Sequence, residues 1–444
     1  MTASVNSSNQ HGVIYDALAN KKFSAALLDL ISRQQHLIGN AGQLEASHTP
    51  EFENIISDND LPEASVGKAE QSNSTIIFGE KLVLKYFRRL DDGINPDLEI
   101  GRVFTAQKFP FTPPLVGALE YRSGKSEPAT VALLTTLVPK AKDAWEFTLD
   151  SLGKFYERVQ TLPPEKRAPQ LPAVSITTLA ATELSEQARE LIDTDIESAR
   201  LLGERTAAMH VALASETENR SFIPEPFTPH AQRGLFQSMR NLTRQTFQLL
   251  SRQLKGLPPE IQTQAEQVLA LEPEIVKKLR RICERPLSAM RTRQHGDYHL
   301  GQVLYTGKEF LIIDFEGEPA VPISERRLKR SPLQDVAGMV RSFHYAAYAA
   351  LLKHIERGTP ANRQLAQMSS WVRFWARWVS AVFYKGYLQA AGGATFLPLT
   401  EADLRMMMDT FLLRKAIYEL GYELNHRPDW VTIPLQGILE LMNE

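Results

Sequence analysis

Cysteine is almost absent from this chain of 444 residues, in which Cys283 is the only one. A single cysteine can build neither a disulfide framework nor a cysteine-based zinc site. An excess of charge is also missing, because 50 Lys and Arg stand against 52 Asp and Glu and the formal net charge is −2. Without a basic field over the whole chain, we expect no nucleic-acid partner and no electrostatic attraction to a membrane.

Long hydrophobic runs are missing as well. The most apolar stretches, residues 130–138 and 339–352, are shorter than the ~20 residues that cross a bilayer, and Arg341 and His344 interrupt the second. The first eight residues are too polar for a secretory signal. We therefore expect a cytoplasmic protein that does not enter a membrane.

The composition that remains is that of an ordinary globular protein, with 43% apolar and 23% charged residues. Such a chain can bury a substantial core, and ~100 to 200 residues per domain would make two or three structural units. Apolar spacing predicts an amphipathic helix over 23–31 near the N-terminus. After Pro139 the pattern becomes that of long helices, interrupted by a strand-rich segment at 294–314.

An antiparallel sheet is predicted between these helical regions. Residues 75–87 form a hairpin pattern around Gly79-Glu80, and 115–138 contain a second pair of apolar runs. A helix should begin after Asn95 within this region, because proline and acidic residues follow in its first turn. The sequence thus predicts an α+β protein in which a small sheet domain precedes a large helical one.

The strand-rich segment contains the most informative polar pattern of the chain. Asp297 lies in a loop, the carboxamide of Gln302 follows five residues later, and Asp314 ends the next apolar strand. Metal-assisted phosphoryl transfer needs these groups, because one Asp can accept the proton of an acceptor hydroxyl while a carboxamide and a second Asp bind Mg²⁺. The alternative is that each Asp only caps a turn.

Two other patterns have structural interpretations. Trp371, Phe374, Trp375 and Trp378 could form a carbohydrate platform, but their helical spacing favours core packing. The basic run 326–330 is short in a near-neutral chain, so it indicates a solvated loop or one that faces phosphates rather than a nucleic-acid patch.

The loop at 295–302 resembles the catalytic loop His-Gly-Asp-x-x-x-x-Asn of aminoglycoside and small-sugar phosphotransferases, with Gln302 in the place of Asn. The extra methylene of Gln lengthens the arm of this metal ligand. More narrowly, the chain resembles bacterial maltokinases, including forms fused to trehalose synthase. The segments that carry this resemblance are 12–18, 70–74, 84–89, 95–102, 295–302, 314–319 and 331–339.

This resemblance implies a two-lobed protein-kinase-like fold. Residues 1–64 would be an N-terminal cap subdomain, 65–138 an N-lobe with an antiparallel sheet and one helix, and 139–444 a large, mostly helical C-lobe. The implied reaction is phosphorylation of maltose to maltose 1-phosphate with ATP and Mg²⁺, which feeds α-glucan and glycogen synthesis. Trehalose synthase, fused or associated, is the implied protein partner.

The same resemblance implies roles for single residues on the nucleotide side. Lys85 would meet the α and β phosphates of ATP, and Glu99 would hold Lys85 in position. The turn at Ser72, Asn73 and Ser74 would contact phosphate through hydroxyl and backbone N–H groups. A plain polar turn, and a surface salt bridge between Lys85 and Glu99, are the alternatives.

The acceptor side is implied in the helical region. Asp297 would orient the reacting hydroxyl of the sugar, while Gln302 and Asp314 would bind Mg²⁺. Lys415 and Tyr418 share a helix face and are candidates for sugar contacts, although Tyr418 could equally be a core residue. His295 is a further candidate for the sugar site, and bracing of the loop is its alternative role.

Two other functions stay open on the sequence. A kinase of another small acceptor, such as glucosamine or an aminoglycoside, would use the same residues but would need carboxylates for a cationic acceptor. Glu316, Glu318 and Glu419 are candidates that the sequence cannot place. A non-catalytic binding module that partners trehalose synthase is the alternative from another class, and it has no need for Lys85 and Asp297 together.

Overall fold

The computed structural model describes residues 2–7, 10–56, 61–66, 73–124, 126–163, 168–171, 174–355 and 361–443. Side chains are described within these ranges except at 2–14, 66, 354–355 and 361–367. All statements below concern the described part of the chain.

The strands in chain order are β1 Thr2–Ser7, β2 Gln10–Tyr15, β3 His36–Ile38, β4 Gln43–His48, β5 Ala64–Val66, β6 Asn73–Phe78, β7 Leu82–Phe87, β8 Leu115–Arg122, β9 Ala129–Thr136, β10 Lys142–Asp143, β11 Glu225–Pro226, β12 Met290–Arg291, β13 Val303–Tyr305 and β14 Phe310–Ile312. The helices are α1 Lys21–Ser32, α2 Glu51–Ile55, α3 Pro96–Ala106, α4 Ala144–Gln160, α5 Ile176–Ala180, α6 Glu186–Ala214, α7 Pro229–Gln253, α8 Pro259–Ala270, α9 Glu272–Arg280, α10 Ile323–Arg326, α11 Leu333–Ile355, α12 Ala361–Ala391, α13 Glu401–His426 and α14 Thr432–Asn443.

The chain divides into two compact units. The first, called the sheet unit, contains the residues up to 141 together with 311–328. The second, called the helical unit, contains 142–310 and the residues from 329 onward. The segment 311–328 therefore belongs with the sheet, whereas the predicted boundary at 138/139 placed it in the C-lobe. A backbone hydrogen bond of 2.8 Å from the Ile312 N–H to the Phe111 carbonyl is one contact that ties it there.

The sheet unit is built on a sheet of seven described strands in the order β3-β4-β8-β9-β7-β6-β5. The predicted hairpins β6–β7 and β8–β9 both form antiparallel pairs. Within the predicted cap region 1–64, the described strands β3 and β4 extend one edge of this sheet, and β5, which begins at the end of that region, extends the other. Sequence patterns cannot show this, since short strands carry little periodicity of their own.

Helix α1 packs on the sheet as its amphipathic pattern predicted. Leu27, Leu28 and Ile31 are buried in one hydrophobic cluster with sheet residues that include Leu84. Phe23, which the spacing placed on the same face, is 40% exposed at the first turn of the helix. The face that contacts the sheet is therefore narrower than the periodicity suggested.

The helical unit contains the long helices that were predicted after Pro139. Trp371, Phe374, Trp375 and Trp378 of α12 are all buried, so the prediction of core packing is confirmed. In the described part of the chain, no helix is both long enough and apolar enough to cross a membrane.

Candidate nucleotide site and catalytic loop

Lys85 in the sheet unit lies among three carboxylates. It is part of β7, between β6 and β9, where it pairs with Thr75 and Leu133 in register. Its ammonium is 3.0 Å from Asp97 Oδ2 and 2.5 Å from Glu316 Oε1, and it also donates to Asp314. Burial alone would lower the pKa of Lys85, but the carboxylates of Asp97, Asp314 and Glu316 raise it well above its usual value. The side chain therefore stays cationic.

Local structure explains how Asp97 reaches this position. The Asn95 side chain caps α3 by accepting from the Asp97 N–H at 2.9 Å, and Pro96 occupies the first helical position. Asp97 then lies in the first turn, where its Oδ1 accepts from the Phe315 N–H at 3.0 Å. The helix start was predicted from sequence, and it fixes which carboxylate faces Lys85.

Asp314 follows β14 and has a φ of +66°. A non-glycine residue rarely adopts this left-handed region, and such conformations often occur at functional sites. The conformation is in keeping with the predicted role of Asp314 as a metal ligand.

The structure corrects the predicted pairing of Lys85 with Glu99. Glu99 accepts instead from Arg327, with Nη2 at 3.1 Å and Nε at 3.3 Å. Asp97 and Glu99 are two residues apart in α3, which separates them by about 200° around the helix axis. The two carboxylates therefore lie on different sides of α3, and Asp97 contacts Lys85.

The structure also differs from the prediction of a phosphate-binding turn at Ser72, Asn73 and Ser74. Ser72 lies outside the described residues. Asn73 and Ser74 are buried in β6 rather than placed in a turn. The Asn73 Nδ2 donates to Glu316 Oε1 at 2.7 Å, and the Ser74 hydroxyl accepts from Arg88 at 2.9 Å. Both side chains are thus used inside the sheet unit, because β6 begins earlier than the sequence suggested.

The three carboxylates around Lys85 have donor chemistry that suits Mg²⁺. Oxygens of Asp97, Asp314 and Glu316 lie within 4.8 Å of one another. Hard oxygen ligands of this kind are what Mg²⁺ prefers, usually together with phosphate oxygens and water. These residues therefore fit the cation of a bound Mg-nucleotide, with Asp314 as the predicted ligand among them.

Three cations of the basic run at 326–330 form ion pairs, while Leu328 within the run is exposed. Arg326 is buried and donates to Asp91 at 3.0 Å, and Arg327 binds Glu99 and, at 2.7 Å, Glu127. In the helical unit Lys329 is 2.8 Å from a carboxylate oxygen of Glu225. Since these cations are neutralised by carboxylates, they do not form an anion-binding patch.

The predicted catalytic loop in the helical unit holds Asp297 between the exposed Gly296 and the buried Tyr298. Asp297 keeps 22% of its side chain exposed, whereas Tyr298 is buried with its hydroxyl 2.9 Å from that of Thr206. His299 Nε2 lies 3.8 Å from the Asp297 carboxylate. Gln302 follows in a 3₁₀ turn over Leu300–Gln302 and is partly exposed. A partly exposed carboxylate on an anchored loop is what a general base requires.

A buried chain of polar groups anchors this loop. The carboxylate of Asp335, in the first turn of α11, accepts from the backbone N–H of His295 at 2.7 Å and of Gly296 at 2.9 Å. His210 Nε2 of α6 lies 3.1 Å from the same carboxylate, and the Tyr387 hydroxyl of α12 lies 3.1 Å from His210 Nδ1. Burial alone would raise the pKa of Asp335, but its contacts with His210 and the loop hold it below the usual value.

Sequence analysis missed the roles of Asp335 and His210. Asp335 lies in the segment 331–339, which carries part of the resemblance, and only its N-terminal helix position gave a signal. His210 is 125 residues away from Asp335 and lies within a long helix, so no local pattern marks it.

The predicted acceptor residues have different placements. His295 is only 1% exposed and its ring packs 5.2 Å from that of Tyr298, so it braces the loop and its predicted sugar contact is corrected. Lys415 and Tyr418 share a face of α13, with the ammonium 4.9 Å from the ring centroid, and both are partly exposed. Their sugar role stays a prediction.

Arg414 connects this part of α13 with the residues that hold the catalytic loop. Its Nη1 donates to Gln334 at 3.1 Å, and Gln334 is the neighbour of Asp335. Burial and the nearby Arg330 lower the pKa of Arg414 to about 10, so it remains charged at neutral pH. Helix α13 is therefore attached to the start of α11.

Comparison with known proteins finds similar curated proteins that include two glucosamine kinases. No family model matches the chain. A glucosamine kinase of Streptacidiphilus jiangxiensis is 25% identical over 386 residues, which cover 84% of this chain and 72% of that protein. A glucosamine kinase of Mycolicibacterium smegmatis is 24% identical over 377 residues, which cover 84% of this chain and 78% of that protein.

Solved structures confirm the predicted fold. A glucosamine kinase in complex with glucosamine, ADP and inorganic phosphate matches 97% of this chain and 85% of its own with a TM-score of 0.64 and 20% identity. Another crystal form of a glucosamine kinase matches 94% of this chain and 84% of its own with the same TM-score. The chain therefore has the two-lobed α+β kinase-like fold, with an antiparallel sheet in one lobe and helices in the other.

Proposed function

We propose that this protein transfers the γ-phosphoryl group of ATP to a hydroxyl group of glucosamine. The broader prediction, an ATP-dependent sugar kinase, is supported by the two glucosamine kinases among the curated relatives. The observation that carries the proposal is the placement of the Lys85 ammonium among Asp97, Asp314 and Glu316. This is the combination of cation and hard oxygen ligands that a Mg-nucleotide needs.

Each residue has a defined part in this proposal. Lys85 would bind phosphate oxygens of ATP, and Asp314 and Gln302 are the residues predicted to hold Mg²⁺, which would neutralise phosphate charge when bound. Asp297 accepts a hydrogen bond from the acceptor hydroxyl and takes its proton as that oxygen bonds to the γ-phosphorus. The bond between the γ-phosphorus and the β,γ-bridging oxygen breaks, and ADP leaves with the electron pair.

The identity of the acceptor depends on how a cationic amine would be bound. Of the three carboxylates considered from sequence, Glu318 is partly exposed, whereas Glu316 contacts Lys85 and Glu419 pairs with the buried Arg341 at 2.7 Å. Both are therefore already neutralised by internal cations. Asp297 is the partly exposed carboxylate of the catalytic loop, so we propose that it also faces the amino group of the acceptor.

Maltose is the second candidate, because the motif segments from 12 to 339 resemble those of maltokinases. The similar curated proteins favour glucosamine over maltose. Association with trehalose synthase stays a prediction that would follow only from the maltose assignment.

Coupled ADP release with Mg-ATP tests the proposal across glucosamine, maltose, glucose and kanamycin, with the product identified by ³¹P NMR. We expect turnover dominated by glucosamine and reduced at least 10²-fold in Asp297→Asn, because general base catalysis contributes about 10²- to 10⁴-fold. Turnover dominated by maltose would show that maltose, and not glucosamine, is the acceptor. Full activity of the variant would refute the role of Asp297, and nucleotide binding without turnover on any acceptor would favour a binding module.

A further inference from the structure

Glu316 occupies the position around Lys85 that the sequence assigned to Glu99. It is 7% exposed, and one of its oxygens lies 2.5 Å from the Lys85 ammonium and 2.7 Å from the Asn73 amide. Its other oxygen lies 3.8 Å from Arg326 Nη1. Glu316 thus joins the cation on β7 to the first residue of β6.

The backbone around Glu316 is shaped to present it in this way. Asp314, two residues before Glu316, has a φ of +66°, and Gly317, directly after it, has a φ of +72°. The side chain of Arg326 packs against Gly317 and donates to the Glu316 carbonyl at 3.4 Å and to Asp91 at 3.0 Å. The segment is therefore fixed from both sides, and the Glu316 carboxylate is held rather than free to rotate.

The other carboxylates near Lys85 have further functions. Asp314 is the predicted metal ligand, and Asp97 also accepts from the Phe315 backbone. Glu99 forms an ion pair with Arg327. Glu316 contacts both Lys85 and Asn73, which is the first residue of β6 and part of the predicted phosphate turn.

From this geometry we propose that Glu316 is the positioning residue that orients Lys85 and β6 for the phosphates of the nucleotide, in place of Glu99. The inference rests on the proposed function only in taking a nucleotide as the ligand, and it does not depend on the acceptor. A charge-assisted hydrogen bond that preorganises a cation for its ligand should be reflected in nucleotide affinity.

The test compares Glu316→Gln with Glu99→Gln as a matched control, since both remove one buried carboxylate charge from the sheet unit. The Kd for Mg-ADP is measured by calorimetry, kinetics give the KM for ATP and for the sugar, and the Tm is measured without ligand. We expect Glu316→Gln to raise the Kd for Mg-ADP and the KM for ATP about tenfold, with the sugar KM unchanged. Glu99→Gln should change the nucleotide constants less than threefold while lowering the Tm.

A second variant covers the case in which Glu316→Gln does not fold. Glu316→Asp keeps the charge but withdraws it by one methylene, so nucleotide affinity should fall by a smaller factor than in Glu316→Gln. An unchanged or tighter Kd for Mg-ADP in the Glu316 variants, or an equal loss in Glu99→Gln, would overturn the inference. Wild-type protein that binds Mg-ADP but phosphorylates no sugar would overturn the proposed function and leave this inference standing, whereas wild-type protein that binds no nucleotide would overturn both.

Discussion

Asp335→Asn should weaken both the fold and the reaction, although the substituted side chain is buried behind the catalytic loop. The carboxylate accepts three N–H groups, from His295, Gly296 and His210. The two backbone N–H groups, of His295 and Gly296, cannot become acceptors. In the wild type, Oδ2 accepts from His295 and His210, and Oδ1 accepts from Gly296. An asparagine has only one oxygen. If that oxygen replaces Oδ2, the new NH₂ group faces the Gly296 N–H, and this donor loses its acceptor.

The magnitude follows from these contacts. A hydrogen bond to a charged group contributes about 1.5–3 kcal/mol, and an unsatisfied buried donor costs about 1–3 kcal/mol. We therefore expect Asp335→Asn to lower the free energy of unfolding by about 3 kcal/mol. Gly296 directly precedes Asp297, and a displacement of about 1 Å in a catalytic group can reduce turnover about 10²-fold. We expect kcat to fall by about 10- to 100-fold.

Urea unfolding and sugar-kinase turnover measure these two effects, and Asp195→Asn is the matched control. Asp195 is also buried, and it accepts from Trp375 Nε1 at 2.8 Å and from the Ser151 hydroxyl. Its asparagine can satisfy both partners, because the hydroxyl can turn to accept from the new NH₂. Stability should change by about 1 kcal/mol or less, and kcat should not change. An Asp335→Asn enzyme with wild-type kcat would refute the anchoring argument.

Three further variants test other parts of the structure by urea titration. Arg341→Met should lower the free energy of unfolding by about 3–5 kcal/mol, because it leaves the charge of the buried Glu419 unpaired. The double variant Arg341→Met/Glu419→Gln should recover most of this loss. A double variant whose loss equals the sum of the two single losses would contradict the argument. Gly317→Ala should cost about 1–2 kcal/mol because of the positive φ, so wild-type stability would argue against that conformation. Burial and the charge of Arg341 lower the pKa of His344 well below its usual value, despite Glu440 at 4.0 Å. The unfolded chain then binds a proton near pH 6.5 that the fold does not, so stability should fall by up to about 1.4 kcal/mol per pH unit below that pH, and His344→Gln should remove this dependence.

The elements that sequence analysis predicted correctly are those with a strong local cause. The start of α3 follows from the cap at Asn95 and the proline after it, and the four aromatic residues of α12 are buried as their spacing indicates. The loop at 295–302 stays the predicted catalytic loop, and the partial exposure of Asp297 is in keeping with its predicted role. Predictions failed where a side chain could choose among several partners, as at Glu99 and Asn73.

The sequence by itself determined the order of the elements, the α+β class and the segments that contain Lys85, Asp297 and Asp314. These properties depend on hydrophobic periodicity, helix caps and motifs that act over a few residues. Tertiary structure alone decided that Lys85 contacts a carboxylate 229 residues away and that Asp335 receives a contact from a histidine 125 residues away. Ion pairs and hydrogen bonds require approach to within about 3 Å, and only the packing of distant segments brings particular side chains to that distance.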